Sequence, residues 1–167
     1  MNDIMTTCCF TGHRASKLPW GGDESDPRCL ELKEKLCAVT EAVYQSGVKK
    51  FICGMANGCD MYFADTVASL RREHPEIVLE AAVPFAGQAG RWSSEMRARY
   101  NVLLSQCSEV TVLQQEYSPD CMMRRNRYMV DASSVVIACY DGTPGGTMNT
   151  LLYAMRQKKE VIQLPTE

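Results

Sequence analysis

With 167 residues, 46% of them apolar, and a net charge of −2, the chain is expected to form one domain over residues 1–167. No segment approaches the roughly 20 continuous apolar residues of a membrane span. The acidic balance argues against broad binding to nucleic acid or to anionic membranes. The opening MNDIMTT has neither a basic region nor a long apolar one, so the expectation is a cytoplasmic protein without a membrane anchor.

Nine cysteines are many, and several (Cys9, Cys53, Cys139) lie inside apolar runs, where a free thiol behaves as a small hydrophobe. They read as reduced and buried. Two distant histidines, His13 and His74, and the absence of any C-x-x-C argue against zinc, and no cofactor is implied.

In chain order, short apolar runs alternate with longer amphipathic stretches. The predicted strands are residues 6–10, 50–53, 77–83, 109–113, 134–139 and 160–164. Most are apolar on consecutive residues, as parallel strands covered on both faces are. The first helix has Asp26 as its cap, Pro27 at its first position and Gly47 beyond its end. Leu32, Leu36, Val39 and Val43 make its inner stripe. A second helix covers residues 59–73, with Asp60 as a cap, and a third covers 93–107, with Met96, Tyr100, Leu103 and Cys107 inward. A fourth covers 118–132, capped by Ser118 with Pro119 at its first position, and the last covers 145–157. The repeating strand–helix order predicts an α/β, three-layer, Rossmann-like domain with a mainly parallel sheet of about six strands.

In such a sheet, ligands collect outside the carboxyl ends of the strands, where the strand order reverses. The segments leaving those ends carry the Gly, Asp, Arg and Trp residues, whereas the opposite connections are plain turns. YDGTPGGT holds Asp141, Gly142, Gly145, Gly146 and Thr147 ahead of a helix, where free backbone N–H groups and the helix dipole favour an anion. The alternative for this stretch is a tight turn that needs glycine for backbone reasons alone. CGMANGCD repeats the pattern with Gly54, Gly58 and Asp60. Asp60 suits either a helix cap or an acceptor for a ribose hydroxyl.

After the first strand, Thr11 and Gly12 let the chain turn, Arg14 can hold phosphate or carboxylate, and Lys17 can assist. His13 is either a structural histidine or an acid–base group, and spacing alone supplies no partner for it. Phe85 and Trp92 are candidates to flank a base. On the fourth helix Arg124 neighbours Arg127 and Tyr128, Asn126 can face the edge, and Arg125 points elsewhere. None of the glycine stretches is G-x-G-x-x-G, which disfavours an NAD(P) dehydrogenase.

CCFTGHR, GMANGCDMYFAD, VPF, RRNRYMVDASSVVIACYDG and GGTMNTLLYA occur in an order that resembles the YpsA-like family of the SLOG superfamily, over approximately residues 6 to 164. That superfamily includes the DprA and LOG groups. The resemblance implies a Rossmann-like fold and a nucleotide or nucleotide-derived ligand in a sensor-like role, and it admits a homodimer. Its motifs fall on Thr11, Gly12, His13, Arg14, Gly54, Gly58, Asp60, Asp141, Gly142, Gly145, Gly146 and Thr147, with Arg124 and Asn126 in the fourth-helix motif. The alternative it raises is a LOG-like hydrolase acting on a nucleotide N-glycosidic or phosphoester bond. LOG phosphoribohydrolases resemble P-G-G-x-G-T-x-x-E, and here Met148, Asn149 and Leu152 stand where Gly, Thr and Glu would fall. The acidic group of that reaction is missing.

Overall fold

The computed structural model describes residues 3–166. Among these, strands β1 (Thr7–Gly12), β2 (Lys50–Cys53), β3 (Val78–Val83), β4 (Glu109–Val112), β5 (Val135–Cys139) and β6 (Glu160–Leu164) form one sheet. Its order is β4-β3-β2-β1-β5-β6 and every pairing is parallel. Helices α1 (Pro27–Gln45), α2 (Cys59–Glu73), α3 (Ser94–Gln106), α4 (Cys121–Asp131) and α5 (Gly146–Arg156) connect successive strands. The three-layer, Rossmann-like α/β fold is the one that the alternation of elements predicts.

In the four inner strands consecutive residues are buried because alternate side chains meet different helices, whereas the edge strands β4 and β6 leave most of their residues exposed or half-buried. Phe10, Phe51, Leu79 and Ile137 pack with the buried stripes of α1, α2 and α3. Cys9, Ile52, Ala82, Val136 and Ala138 pack with Met129 and Val130 of α4 and Leu151 and Ala154 of α5. Phe10 and Phe63 stack at the centre of the first layer, ring centroids 4.6 Å apart. Glu80 is the exception among the apolar inner positions. It is 1% exposed, pairs with Lys50 Nζ at 2.8 Å and accepts from the Tyr128 hydroxyl at 2.7 Å, so its charge is not left alone. The cysteines form no disulfide among the described residues; Cys37 is exposed, Cys107 is half-buried, and the others are buried.

Three boundaries differ from the sequence reading. β1 runs on through Thr11 and Gly12, because those residues pair with Ala138 and Cys139 of β5. α4 begins at Cys121, not near Ser118. The Ser118 hydroxyl donates to Asp120 Oδ1 at 2.8 Å and the Ser118 carbonyl accepts from Cys121 N–H, so Pro119 sits in a turn before the helix. Asp60 is not the cap of α2. Gly58 holds that position at φ +92°, and Asp60 lies within the first turn. Asp26 does cap α1, accepting from Arg28 N–H at 2.8 Å, with Pro27 following it.

The order reverses between β1 and β5: β2, β3 and β4 lie to one side of β1, while β5 and β6 lie to the other. At that switch point the chains leaving the two strands diverge and open a crevice.

Candidate functional site

A cavity of about 200 Å³ lies at the carboxyl ends of β1 and β5. Thr11, Gly12, His13 and Arg14 form one wall as the chain leaves β1, continued by Ser16 and Lys17. α2 contributes Asp60, with Ala56 from the turn before it. α4 contributes Met122, Arg125, Asn126 and Met129, spaced i, i+3, i+4 and i+7 along one helix face. The amino end of α5 closes the far side with Gly146 and Thr147.

The β1 exit is locked in place by close backbone packing. A Cβ on Gly58 would lie 2.5 Å from the Ala15 nitrogen and 2.8 Å from the His13 carbonyl oxygen. Cys59 N–H donates to that same carbonyl at 3.1 Å. Further along the loop, the Trp20 indole N–H donates to the Tyr62 hydroxyl at 3.1 Å, and Lys33 and Arg99 both pair with Glu24. The wall that carries Arg14 and Lys17 is therefore anchored to α1, α2 and α3.

His13 is 3% exposed, and its Nε2 lies 2.8 Å from Asp141 Oδ1. The Asp141 backbone N–H also lies against that nitrogen, at 3.1 Å, so Asp141 holds the imidazole through both its carboxylate and its amide. Asp141 Oδ1 also accepts from the Thr143 amide at 2.9 Å and the Thr143 hydroxyl at 2.5 Å. Those two bonds, and then the one from His13, hold the Asp141 carboxyl well below the usual carboxylate range. Asp141 thus stands behind His13 and orients it, and does not itself line the cavity. This is the partner for His13 that spacing could not supply.

Arg125 is the residue that sequence reasoning turned away from the site, and that reading is corrected here. The residue is 4% exposed, and its guanidinium lies under the carboxyl ends of β2 and β3. Nη1 donates to the Gly54 carbonyl at 2.6 Å and the Ala82 carbonyl at 3.2 Å, and Nε donates to Asn126 Oδ1 at 2.8 Å. Among the described residues Nη2 reaches only the Met122 sulfur, at 3.9 Å. Arg14 Nη2 approaches the same sulfur at 3.7 Å. Two guanidinium groups converge on one neutral thioether, and neither forms an ion pair among the described residues. Burial pulls Arg125 down from its ordinary pKa, with Asp60 opposing and Arg14 reinforcing the shift.

Asp60 is 6% exposed; its Oδ2 accepts from Ala56 N–H at 3.0 Å. Burial raises its pKa, against the opposing pull of Arg125, the Ala56 hydrogen bond and Arg14. At the α5 end, Gly145 has φ +153° and a Cβ there would meet Lys17 Nζ at 2.6 Å. Lys17 Nζ donates to the Pro144 carbonyl at 3.1 Å, spanning the mouth between the two loops. α5 has no side-chain cap, so its first N–H groups are open beside the cavity.

The remaining sequence candidates lie elsewhere. Phe85 packs edge-on against Tyr117 at 5.5 Å and Trp92 against Tyr100 at 5.3 Å. Both follow β3, two strands from β1, which at about 4.8 Å per strand puts them outside the crevice. Arg124 is exposed and donates to Gln114 Oε1 at 3.3 Å. Gly54 and Gly58 support the site from behind, and Gly142 (φ +88°) shapes the turn after Asp141. Leu152 is half-exposed on α5 and does not line the cavity. Among the described residues no group of three or more His, Cys, Asp or Glu side chains is placed to hold a metal, and no helix is long and apolar enough to cross a membrane.

The model of the YspA SLOG family matches residues 8–166. An uncharacterized SPbeta prophage-derived protein, YoqJ of Bacillus subtilis, is 35% identical over 144 residues, 78% of this chain and 84% of the relative. A UPF0398 protein of Bacillus thuringiensis is 25% identical over 162 residues, 94% of this chain and 86% of the relative. Among solved structures, DNA processing protein A of Streptococcus pneumoniae superposes with a TM-score of 0.63 at 14% identity, covering 96% of this chain and 50% of that one. The Helicobacter pylori DNA processing protein A, described for its single-stranded DNA binding mode, gives 0.62 at 14% identity, covering 97% and 66%. TM1055 gives 0.58 at 17% identity, covering 94% and 72%. At these identities the structural likenesses speak to the fold.

Proposed function

Because the chain belongs to the YspA SLOG family, we propose that the cavity at its β1/β5 switch point binds the phosphorylated end of a small nucleotide or nucleotide derivative in a regulatory, sensor-like role. The observation that carries this reading is the convergence of Arg14 and Arg125, both without a carboxylate partner among the described residues, on Met122 Sδ. Two cations directed at one neutral atom suit an anion lodged between them. The open N–H groups at Gly146 and Thr147 add donors and a favourable dipole on the opposite side, and Lys17 adds a cation at the mouth. The thiol-rich composition fits a cytoplasmic setting, and a homodimer is part of the same proposal, checked by light scattering.

The test is calorimetric titration with nucleoside monophosphates, ADP-ribose, cyclic nucleotides, inorganic phosphate and a short single-stranded DNA. Saturable binding of a nucleotide that is lost in Arg14→Ala supports the reading. Failure of every nucleotide to bind overturns it. Tight binding of the DNA strand with none by mononucleotides replaces it with a nucleic-acid function.

A hydrolytic reading has one observation in its favour: an oriented imidazole, His13 on Asp141, shares the cavity with the buried carboxyl of Asp60. Chromatography after prolonged incubation with bound nucleotides separates the two. Cleaved products make the protein an enzyme, and unchanged ligand leaves it a binder.

A further inference from the structure

Arg125 and Asp60 are two buried charges that border the same cavity without joining. They lie near enough to influence each other's ionisation, yet no nitrogen of one comes within 4.0 Å of an oxygen of the other. Each also has unused hydrogen-bonding capacity. Arg125 Nη1 and Nε are taken by carbonyl and amide oxygens, while among the described residues Nη2 meets only a sulfur at 3.9 Å. Asp60 Oδ2 accepts from Ala56, while Oδ1 accepts no hydrogen bond among the described residues. Neither atom is a sealed orphan, and both residues line the cavity, so the unused donor and the unused acceptor are open to a ligand. A gap lined by one of each is therefore shaped for a group that both accepts and donates.

A hydroxyl does both: its oxygen accepts from one Nη2 hydrogen, the other staying with the anion that Arg14 and Arg125 share beside Met122, and its hydrogen goes to Oδ1. Within the gap between Arg125 and Asp60, away from Met122, a bare anion would meet the carboxylate, and an ammonium would meet the guanidinium. An amide edge of a base has the right polarity too, but neither candidate stacking ring is at hand to hold the base face. About 200 Å³ falls below the roughly 300–1,000 Å³ of pockets that engulf a drug-sized ligand, so the cavity holds one end of a nucleotide and not the whole of it. Neither Phe85 nor Trp92 reaches the cavity to stack on a base. A phosphorylated pentose, whose hydroxyls lie a few bonds from its phosphate, suits a space that offers phosphate donors at Gly146 and Thr147 and a hydroxyl clamp on α2 and α4.

We propose that Arg125 and Asp60 form a sugar-hydroxyl subsite that makes the protein select ribose over 2-deoxyribose and leaves the base largely unread. The proposal rests on the phosphate-binding reading above and adds the part of the ligand that decides specificity. Its consequence is discrimination by sugar. AMP, GMP, CMP and UMP bind alike, ribose 5-phosphate binds nearly as well, and their 2-deoxy counterparts bind poorly.

Titration calorimetry with ribose 5-phosphate, 2-deoxyribose 5-phosphate, the four ribonucleoside monophosphates and dAMP tests it. Losing a hydroxyl bound to two charged groups is expected to weaken affinity at least about tenfold. The spread among the four bases is expected to stay within about threefold, as for contacts with solvent. Asp60→Asn keeps the shape of the side chain and its bond to Ala56. It is expected to bring ribose and deoxyribose affinities together while binding of 2-deoxyribose 5-phosphate persists. Equal wild-type affinity for ribo and deoxy ligands, or a preference among bases larger than that between sugars, overturns the subsite and leaves the phosphate site standing. If neither sugar phosphate nor any nucleotide binds, the phosphate site and the subsite fall together.

Discussion

His13 and Asp141 meet across the switch point of the sheet, Nε2 to Oδ1 at 2.8 Å, although 128 residues separate them in the chain. β1 and β5 are neighbours in register from Cys8 and Val135 to Gly12 and Cys139, so the residues that follow each strand emerge side by side. The contact ties the wall that carries Arg14 to the glycine turn that opens α5. Each of those walls brings a different part of the proposed anion site.

The Asp141 carboxyl is expected to titrate below the about 3.9 of a free aspartate. Because its folded pKa is lowered, its contribution to stability is fully present above that unfolded value and is lost as pH falls towards the folded one. NMR titration of the carboxyl carbon measures this. His13→Ala is expected to move the midpoint up only part of the way, since the two bonds from Thr143 are the larger cause. A midpoint at or above the free value in the wild type would show that the cluster does not exist in solution.

Asp60 has the opposite sign. Its pKa is raised by burial, so the fold tolerates the protonated form better and stability declines as pH rises through the folded pKa. Asp60→Asn is expected to be at least as stable as the wild type at neutral pH, with the difference shrinking as the pH approaches 4, near the free-aspartate value. Thermal melts across that range read it out. A variant that is less stable at neutral pH and unchanged at acid pH contradicts the assignment.

Two glycines behind the site separate steric from electrostatic roles. Gly58→Ala places a Cβ against backbone atoms at 2.5 and 2.8 Å and forces a non-glycine residue to φ +92°. A loss above about 3 kcal/mol, or no folded protein, is expected. Gly54→Ala meets the Arg125 guanidinium at 2.4–3.0 Å. Displacing it forfeits its bonds to Gly54 and Ala82, about 2–3 kcal/mol, and nucleotide affinity falls with it. Urea denaturation of the two variants should rank them in that order; near-wild-type stability for Gly58→Ala would contradict the packing described.

Lys50 and Glu80 allow a test far from the cavity. Lys50→Met leaves Glu80, 1% exposed, with the Tyr128 hydroxyl but without its cation. The expected cost is about 3 kcal/mol in urea with little change in the slope, and the double variant Lys50→Met with Glu80→Gln should recover most of it. No recovery in the double variant would mean that the pair does not interact as a unit.

Much of this architecture is legible in the sequence. Consecutive apolar positions in short runs demanded burial on both faces, and the alternation with amphipathic helices left a parallel sheet as the solution. Asp26 and Pro27, and the Leu32–Val43 stripe, marked a helix because caps and periodicity are local properties. The motif glycines and Arg14 followed from the rule that ligands gather at the carboxyl ends of strands. Arg125 was legible in principle, since Cys121, Arg125 and Met129 recur every four residues on the buried stripe of α4. Charge made it look like a surface residue, and only the carbonyls of Gly54 and Ala82 waiting beneath α4 account for its burial.

Hydrophobic periodicity and turn chemistry are encoded within a few residues of one another, so order along the chain was sufficient for the layers, the strand direction and the edge on which a site would form. Convergence is a different kind of information. That His13 meets Asp141, that Arg14 and Arg125 share the Met122 sulfur, and that Phe85 and Trp92 stay two strands away all depend on strand order and helix rotation. Those are settled by packing between elements distant in sequence, where a shift of one residue along α4 would turn Arg124 inward in place of Arg125.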